Sequence, residues 1–404
     1  MNNTMTVLIT GVNGFVGKNL QLHLAERKNV QVVCFTRDDD VAQLPALLQG
    51  VDFVFHLAGV NRPQDPQEFV SGNADLTQTL CQAVCAVAEA TGKKVPIVYT
   101  SSAQADRDNP YGQSKRGAED ALLAAARSHQ LPVHIFRLPN VFGKWCKPNY
   151  NSVVATFCHN IARDLPIQVN DPTAPLTLVY VDDVIKRFVG LMDTIVTASE
   201  ARQSMNPQAM DCRAALATKA GDDQTLDTVA PQYTTTVGEL ARQIRAFKDS
   251  RATLMTERVG AGLVRALYAT YVSYLPVESF TYTVSQHGDP HGVFVEMLKT
   301  PDAGQFSCFT THPGITRGGH YHHSKTEKFL VIKGQARFKF RHMQTGQVHE
   351  LVTTGDKPEI VETAPGWTHD ITNIGTIEMI VMLWANEVFD RANPDTVAAP
   401  IKLP

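Results

Sequence analysis

Cysteine is sparse in this 404-residue chain, and the seven that occur, Cys34, Cys81, Cys85, Cys146, Cys158, Cys212 and Cys308, form no CxxC pair. An odd number without that spacing argues against a disulfide framework and against a cysteine zinc site. They read mainly as small buried apolar residues. An excess of one charge is also missing: 37 Lys and Arg stand against 40 Asp and Glu, a formal charge of −3. That balance carries no footprint for nucleic acid or an anionic membrane. Local basic pockets for a phosphate-bearing ligand stay open. No apolar run is long enough to span a bilayer. Met1–Thr10 runs straight into a strand-like segment, and no signal peptide is expected. A reduced, cytoplasmic protein is expected, with no nucleic-acid or membrane partner. Internal repeats are absent as well.

What is present is ordinary globular material, 43% hydrophobic and 19% charged. The length exceeds one typical core, so two domains are expected. From Thr6 to about Leu191, strand-like and helix-like segments alternate. Strands are expected at Val7–Thr10, Val30–Phe35, Phe53–Leu57, Val95–Ser101 and Val133–Leu138. Helices are expected at Gly14–Arg27, Asp75–Thr91 and Ser114–Ser128. Such alternation means an α/β Rossmann-type, doubly wound parallel sheet. Thr194–Gln232 breaks the pattern and reads as an insertion. Thr236–Phe247 reads as a helix with Thr236 at its N-cap and Glu239 at the third position. After about Tyr282 the texture becomes short alternating segments: Val293–Leu298, Phe306–Thr311, Lys328–Ile332, Gln335–Phe340, Glu359–Glu362 and Glu378–Trp384. These predict an all-β sandwich or barrel. The boundary is expected near 284, giving domains 1–284 and 285–404.

The first strand ends at Thr10, and Gly11-Val12-Asn13-Gly14-Phe15-Val16-Gly17 then opens a helix. This GxxGxxG lies in the strand–helix context that a dinucleotide site requires. Glycines let the backbone approach a pyrophosphate, and the helix N-terminus offers N–H donors and positive potential. The second strand ends at Phe35-Thr36-Arg37, where NAD enzymes usually place an acid. Arg37 can accept the extra phosphate of NADPH bidentately. Asp38 follows closely, and a shifted register would favour NAD.

Tyr111-Gly112-Gln113-Ser114-Lys115 is a YxxxK whose ends share one helix face. A nearby ammonium is expected to lower the Tyr111 hydroxyl from its usual pKa of about 10. Tyr111 could then pass a proton to a carbonyl oxygen receiving hydride. Lys115 could also hold the nicotinamide ribose, and Ser102, or Ser101, could donate to the same oxygen. Over roughly residues 5–284 the chain resembles the extended short-chain dehydrogenase/reductase family. His56-Leu57-Ala58-Gly59 matches a segment that lies beside the adenine in that family. Asn73 stands where the family has a helix Asn, and Arg137-Leu138-Pro139-Asn140-Val141-Phe142-Gly143 looks like its RxxNxxG. That resemblance implies cofactor contacts from Leu57, Ala58 and Gly59 and substrate contacts from Arg137 and Asn140. The family's dehydratases carry an Asp-Glu pair after the catalytic hydroxyl residue. Ala103-Gln104 stand here instead, which argues for simple keto reduction.

The tail carries Gly314, His320, His322, Glu327 and Gly334 in the spacing of the first cupin motif. Pro365-Gly366-Trp367-Thr368-His369 with Asn373 resembles the second, with Ala364 in the usual proline position. His320 and His322 are expected to alternate on one strand, with Glu327 arriving on the adjoining strand. Three imidazoles and a carboxylate at His320, His322, Glu327 and His369 suit Zn, Fe, Mn, Ni or Cu, and zinc is the ion expected.

Nearly end to end, the chain resembles the bifunctional capsular-polysaccharide enzymes of the UDP-N-acetyl-L-fucosamine pathway. The strings that carry this are Asn109–Gly112, Phe142–Val153, Tyr271–Pro276, Glu327–Val331 and Trp384–Asp390. The resemblance implies a UDP-linked 4-keto-6-deoxy amino sugar as substrate, epimerised at C3 by the cupin and reduced at C4 with NADPH. His323 and Lys328 are weak candidates for the C3 base, and Arg317 for steering the diphosphate. A homodimer is expected. A reductase carrying a purely structural or dimerising cupin is the alternative.

Overall fold

The computed structural model describes residues 4–204, 226–289, 292–295, 298, 304–387 and 392–401. Of the expected insertion Thr194–Gln232, residues 205–225 lie outside the described residues, as do 296 and 297 of the expected strand Val293–Leu298. The chain divides into two compact units, Met1–Val141 with Val179–Gln232, and Phe142–Leu178 with Tyr233–Pro404. Segments on both sides of residue 284 therefore share the second unit.

The first unit is built on β1 Met5–Thr10, α1 Phe15–Ala25, β2 Val30–Phe35, α2 Leu44–Leu48, β3 Phe53–His56, α3 Gln67–Phe69, α4 Leu76–Thr91, β4 Ile97–Ser102, α5 Pro110–His129 and β5 Val133–Leu138. All five strands are parallel, in the order β2-β1-β3-β4-β5. Central strands covered on both faces need continuous apolar runs. Val7, Leu8, Ile9, Phe53, Val54 and Phe55 supply them and are fully buried. Each such side chain stabilises the fold by about 1.5–3 kcal/mol. Helix α5 starts earlier than the apolar pattern suggests. The Asn109 side chain accepts from the Gly112 N–H at 2.8 Å, and Pro110 takes the first position. Tyr111 thus enters the first helical turn.

After β6 Asn140–Phe142, α6 Val153–Ile161, β7 Pro175–Tyr180 and α7 Val181–Ser204, the chain re-enters the described structure near Asp227. There the Asp227 N–H donates to Ile135 O at 2.8 Å, and its carboxylate lies 2.9 Å from His134 Nδ1. These bonds fasten the returning chain to edge strand β5. In the second unit β8 Tyr233–Thr236 pairs antiparallel with β7 and leads into α8 Val237–Thr253. Thr236 caps α8 by accepting from the Glu239 N–H at 3.2 Å, the cap expected from sequence. Helix α9 Gly262–Ser273 follows; it is apolar on nearly every side and packs Tyr268 on Phe247 at 5.2 Å.

The tail forms two antiparallel five-stranded sheets. One comprises β9 Thr281–Thr283, β12 Gln305–Thr311, β14 Glu327–Lys333, β17 Glu359–Thr363 and β19 Met379–Ala385, in the order β12-β19-β14-β17-β9. The other comprises β13 Thr316–Tyr321, β15 Gln335–His342, β16 Val348–Thr354, β18 Trp367–Asn373 and β20 Val397–Ala398, in the order β16-β15-β18-β13-β20. A short pair of strands, β10 Gln286–Asp289 and β11 Gly292–Val295, lies between β9 and β12 in the chain. Phe329 from the first sheet meets Phe338 from the second at 5.6 Å, so the two inner faces share one core.

The outer face of the first sheet is not solvated. Lys328 on β14 is buried against Glu362 on β17 and donates to Tyr282 Oη at 3.0 Å. Glu362 also takes Arg251 of α8 at 2.7 Å and the Tyr268 hydroxyl of α9 at 3.3 Å. Helices α8 and α9 thus cover this sheet through a buried ionic cluster. Removing one partner strands the other charges in a dry interior. Glu362→Gln is expected to lower unfolding free energy by about 3–5 kcal/mol, read as a fall in the urea midpoint.

Candidate functional site

In the first unit the strand order reverses between β1 and β3, and the C-terminal ends of those strands open the crevice where open α/β sheets bind ligands. Gly11 has φ of 71°, and a Cβ there would stand 2.6 Å from the Ala58 backbone. The glycine loop therefore presses directly on Leu57-Ala58, the two segments expected to hold the cofactor. No side chain caps α1 at Gly14, so the first-turn N–H groups of Phe15, Val16 and Gly17 have no side-chain cap and are the donors a helix N-terminus offers an anion. Asn13 and Gly14 are exposed beside them. Beneath the crevice, His56 is fully buried between Thr10 Oγ1 at 2.7 Å and Thr77 Oγ1 at 2.8 Å. Burial, and then the Lys115 charge, push its pKa down to about 3, so it stays neutral. At the tip of β2, Arg37 is exposed with no ion-pair partner among the described residues. Asp39 turns back onto its own loop and accepts from Thr36 N at 2.7 Å and Thr36 Oγ1 at 2.9 Å.

Ser102 ends β4, Tyr111 lies in the first turn of α5, and Lys115 follows one turn later. The Ser102 hydroxyl stands near enough to the Tyr111 phenol to draw its pKa down against burial, and it accepts from Gln104 N at 3.1 Å. Ser101 points elsewhere, donating to buried Glu119. Between the two serines left open by the sequence, Ser102 is the one beside the tyrosine. Lys115 is buried and donates to Thr100 O at 3.0 Å and Tyr99 Oη at 3.2 Å. Burial lowers its pKa to about 8, against the opposing pull of Glu119. The expected lowering of Tyr111 by Lys115 does not occur. Burial raises the Tyr111 pKa, with Ser102 opposing, because the ammonium is directed at Tyr99 and Thr100.

Asn73 ties this site together from a π-turn. Its Oδ1 accepts from Val60 N at 3.0 Å, and its Nδ2 donates to Val60 O at 2.9 Å and Ser114 Oγ at 3.0 Å. Gly59 passes so close that a Cβ would stand 2.8 Å from Asn73 Oδ1. Arg137 is engaged with buried Glu119 at 2.8 and 2.6 Å, and with Asp106 at 2.5 Å. Its guanidinium braces β5 against α5, whereas Asn140 is exposed on β6.

In the tail sandwich the four expected ligands come together. One ligand atom from each of His320, His322, Glu327 and His369 lies within 4.8 Å of all the others. His320 and His369 are cross-strand partners on β13 and β18. Two expectations need correction. His322 lies just beyond the end of β13, and Glu327 opens β14 in the opposing sheet, not the adjoining strand. The centre is thus assembled across the sandwich. The Ala364–Trp367 turn closes despite Ala364, with Trp367 N donating to Ala364 O at 3.1 Å and Gly366 at φ of 80°.

Glu327 Oε2 lies 3.1 Å from His322 Nε2 and 3.3 Å from His369 Nε2. Burial opposes ionisation of Glu327, but the adjacent His322 and His369 rings hold its pKa well below the usual carboxylate range. His320 falls to about 4 through burial and the neighbouring imidazoles. Burial lowers His369 as well, and unprotonated imidazole nitrogens beside a carboxylate are what a divalent cation takes up. Both ring nitrogens of buried His369 lack a hydrogen-bond partner, so the donor set fits a metal better than a hydrogen-bonded core. Lys328 points to the opposite face of β14, into the cluster with Glu362, which removes it as a C3 base beside this centre. His323 packs on the Tyr321 ring at 5.4 Å, and Arg317 donates to Thr311 Oγ1 at 3.1 Å.

Among the described residues no helix is long and apolar enough to cross a membrane. The model of the NAD dependent epimerase/dehydratase family matches residues 7–204, and that of the polysaccharide biosynthesis C-terminal domain matches residues 287–397. The chain is 58% identical, over 98% of its length and 99% of the relative's, to UDP-2-acetamido-2,6-beta-L-arabino-hexul-4-ose reductase of Pseudomonas aeruginosa. The crystal structure of the capsular polysaccharide assembling protein CapF from Staphylococcus aureus is 39% identical, with a TM-score of 0.60 over 98% of this chain and 100% of that one. UDP-glucuronic acid 4-epimerase from Bacillus cereus, solved with NAD, shares the fold at 18% identity, with a TM-score of 0.51 over 67% of this chain and 98% of that one. With a Rossmann-type sheet carrying the Ser102, Tyr111 and Lys115 group and a tail sandwich gathering three His and one Glu, the chain belongs to the extended short-chain dehydrogenase/reductase family, in the CapF-type branch that joins it to a polysaccharide-biosynthesis C-terminal domain.

Proposed function

We propose that the protein is a bifunctional sugar-nucleotide enzyme acting on UDP-2-acetamido-2,6-dideoxy-L-arabino-hexos-4-ulose. Residues 285–404 would epimerise C3, and residues 1–284 would then reduce the C4 ketone to the L-talose derivative, in a cytoplasmic homodimer serving polysaccharide synthesis. The observation that carries this reading is the placement of Ser102 at the end of β4 beside Tyr111 in the first turn of α5, with Lys115 buried one turn later, in a chain 58% identical to a reductase of such a ketone. NADPH, when bound, supplies the hydride that reaches C4. Ser102 and Tyr111 orient the ketone oxygen, and Tyr111 delivers its hydroxyl proton there. A phenol with a raised pKa holds that proton at neutral pH, the state a reduction needs. Ala103-Gln104 offer no acid–base pair for dehydration.

His320, His322, Glu327 and His369 would hold the metal, zinc foremost, which when bound supplies Lewis acidity at the sugar carbonyl. In this reading the surrounding residues orient the ketone so that its C3 proton can leave and return on the other face. NMR of the keto sugar nucleotide in D2O tests the assignment. Deuterium should enter C3 without NADPH, and the 4-alcohol should form only with it. No exchange by folded, metal-loaded protein would remove the epimerase half.

Cofactor preference follows from the tip of β2. The exposed Arg37 is available to a 2′-phosphate, and Asp39 is occupied by Thr36. Arg37→Ser is expected to weaken NADPH binding about 10- to 100-fold, the loss of one or two charge-assisted hydrogen bonds, and to leave NADH binding little changed. Fluorescence titration with both nucleotides checks this.

A further inference from the structure

The C-terminal segment 392–401 runs beside the ligand cluster. Val397 and Ala398 pair with Tyr321 and His320 on β13, and the Ala399 N–H donates to Gly319 O at 2.7 Å. Asp395 sits where the chain turns between His322 and Glu327. Its carboxylate accepts the N–H groups of His323 at 2.7 Å, Ser324 at 2.6 Å and Lys325 at 2.7 Å, and the Ser324 hydroxyl at 2.9 Å. Its backbone carbonyl meets His322 Nδ1. A carbonyl only accepts, so Nδ1 carries the proton. In the neutral ring the lone pair is then on Nε2, the nitrogen that shares the ligand cluster with Glu327 and that a bound cation would take.

We propose that Asp395 is a positioning residue of the metal centre: its carbonyl sets the ligating tautomer of His322, and its carboxylate locks the turn that spaces His322 from Glu327. This rests on the metal-centre reading given above. The segment is thereby part of the site, and 70 or so residues of intervening chain separate the partners. Outer partners that orient a ligating imidazole are typically worth about 10- to 100-fold in metal affinity.

The test uses full-length protein stripped by chelation, then titrated with Zn2+ against a chromophoric chelator and with Co2+ for its visible absorption. Asp395→Ala is expected to weaken Zn2+ binding about 10- to 100-fold and to alter the Co2+ bands, while Asp395→Asn, which keeps one acceptor oxygen, recovers part of both. An unaltered Co2+ spectrum with Zn2+ affinity within about twofold of wild type, in folded Asp395→Ala, overturns the proposal. If that variant fails to fold, the same criterion is applied to Asp395→Asn. Wild type that takes up no more Zn2+ than His369→Ala instead overturns the metal centre itself.

Discussion

Tyr111→Phe should lower NADPH-dependent reduction of the 4-keto sugar nucleotide about 10²- to 10⁴-fold, with nucleotide binding retained. The phenyl ring keeps its packing on Phe69 at 5.7 Å, so the pocket shape survives and only the proton donor is lost. Ser102 still reaches the ketone oxygen, which leaves a residual rate. Lys115→Met should behave differently. It removes the donor to Thr100 O and Tyr99 Oη, both inside the sheet, and so should damage cofactor affinity and turnover together. The pH profile carries the same signature. Burial sets Lys115 at about 8, so its ammonium is present below that pH and lost above it. Reduction should therefore decline as pH rises through about 8, well before a free lysine near 10.4 would deprotonate. Single-turnover rates across that range check the sign. Near-wild-type turnover by Tyr111→Phe would take Tyr111 out of the proton-donor role.

Local geometry explains which parts of this molecule were legible in the sequence. Gly11, Gly14 and Gly17 answer a turn fixed within seven residues, and Tyr111 with Lys115 answers one helical turn. The cupin spacing likewise identified all four residues that gather in the tail. What the spacing could not convey is which sheet each residue joins. Glu327 was expected on a neighbouring strand, yet it faces the imidazoles from across the sandwich, because β13 and β14 fold into different sheets. Lys328 looked near the metal because it follows Glu327, but side chains alternate along a strand. Its neighbour Glu362 and its helical cover come from distant segments. Asp395 acts through its carbonyl and through backbone N–H groups, which leave no pattern in residue types.

His369→Ala should abolish C3 deuterium exchange, by at least about 10²-fold, and leave C4 reduction of an already epimerised ketone intact. The substitution removes one of four donors and also a buried ring packed near Phe329 at 6.0 Å and Phe340 at 6.5 Å. Some loss of stability accompanies it, which circular dichroism and metal content must bracket. The two outcomes separate the halves of the proposed function. If exchange persists in folded, metal-free His369→Ala, the tail sandwich is a structural module and the epimerisation lies elsewhere. If exchange stops while reduction continues, the chemistry also dictates an order. A C3 proton is acidic only while C4 is a ketone, since the negative charge left behind must spread onto the carbonyl oxygen. Once Tyr111 has delivered its proton to that oxygen and C4 is an alcohol, no such stabilisation remains. His369→Ala supplied with NADPH and the unepimerised ketone should therefore release, if it turns over at all, an alcohol with the original C3 configuration that wild type cannot convert further.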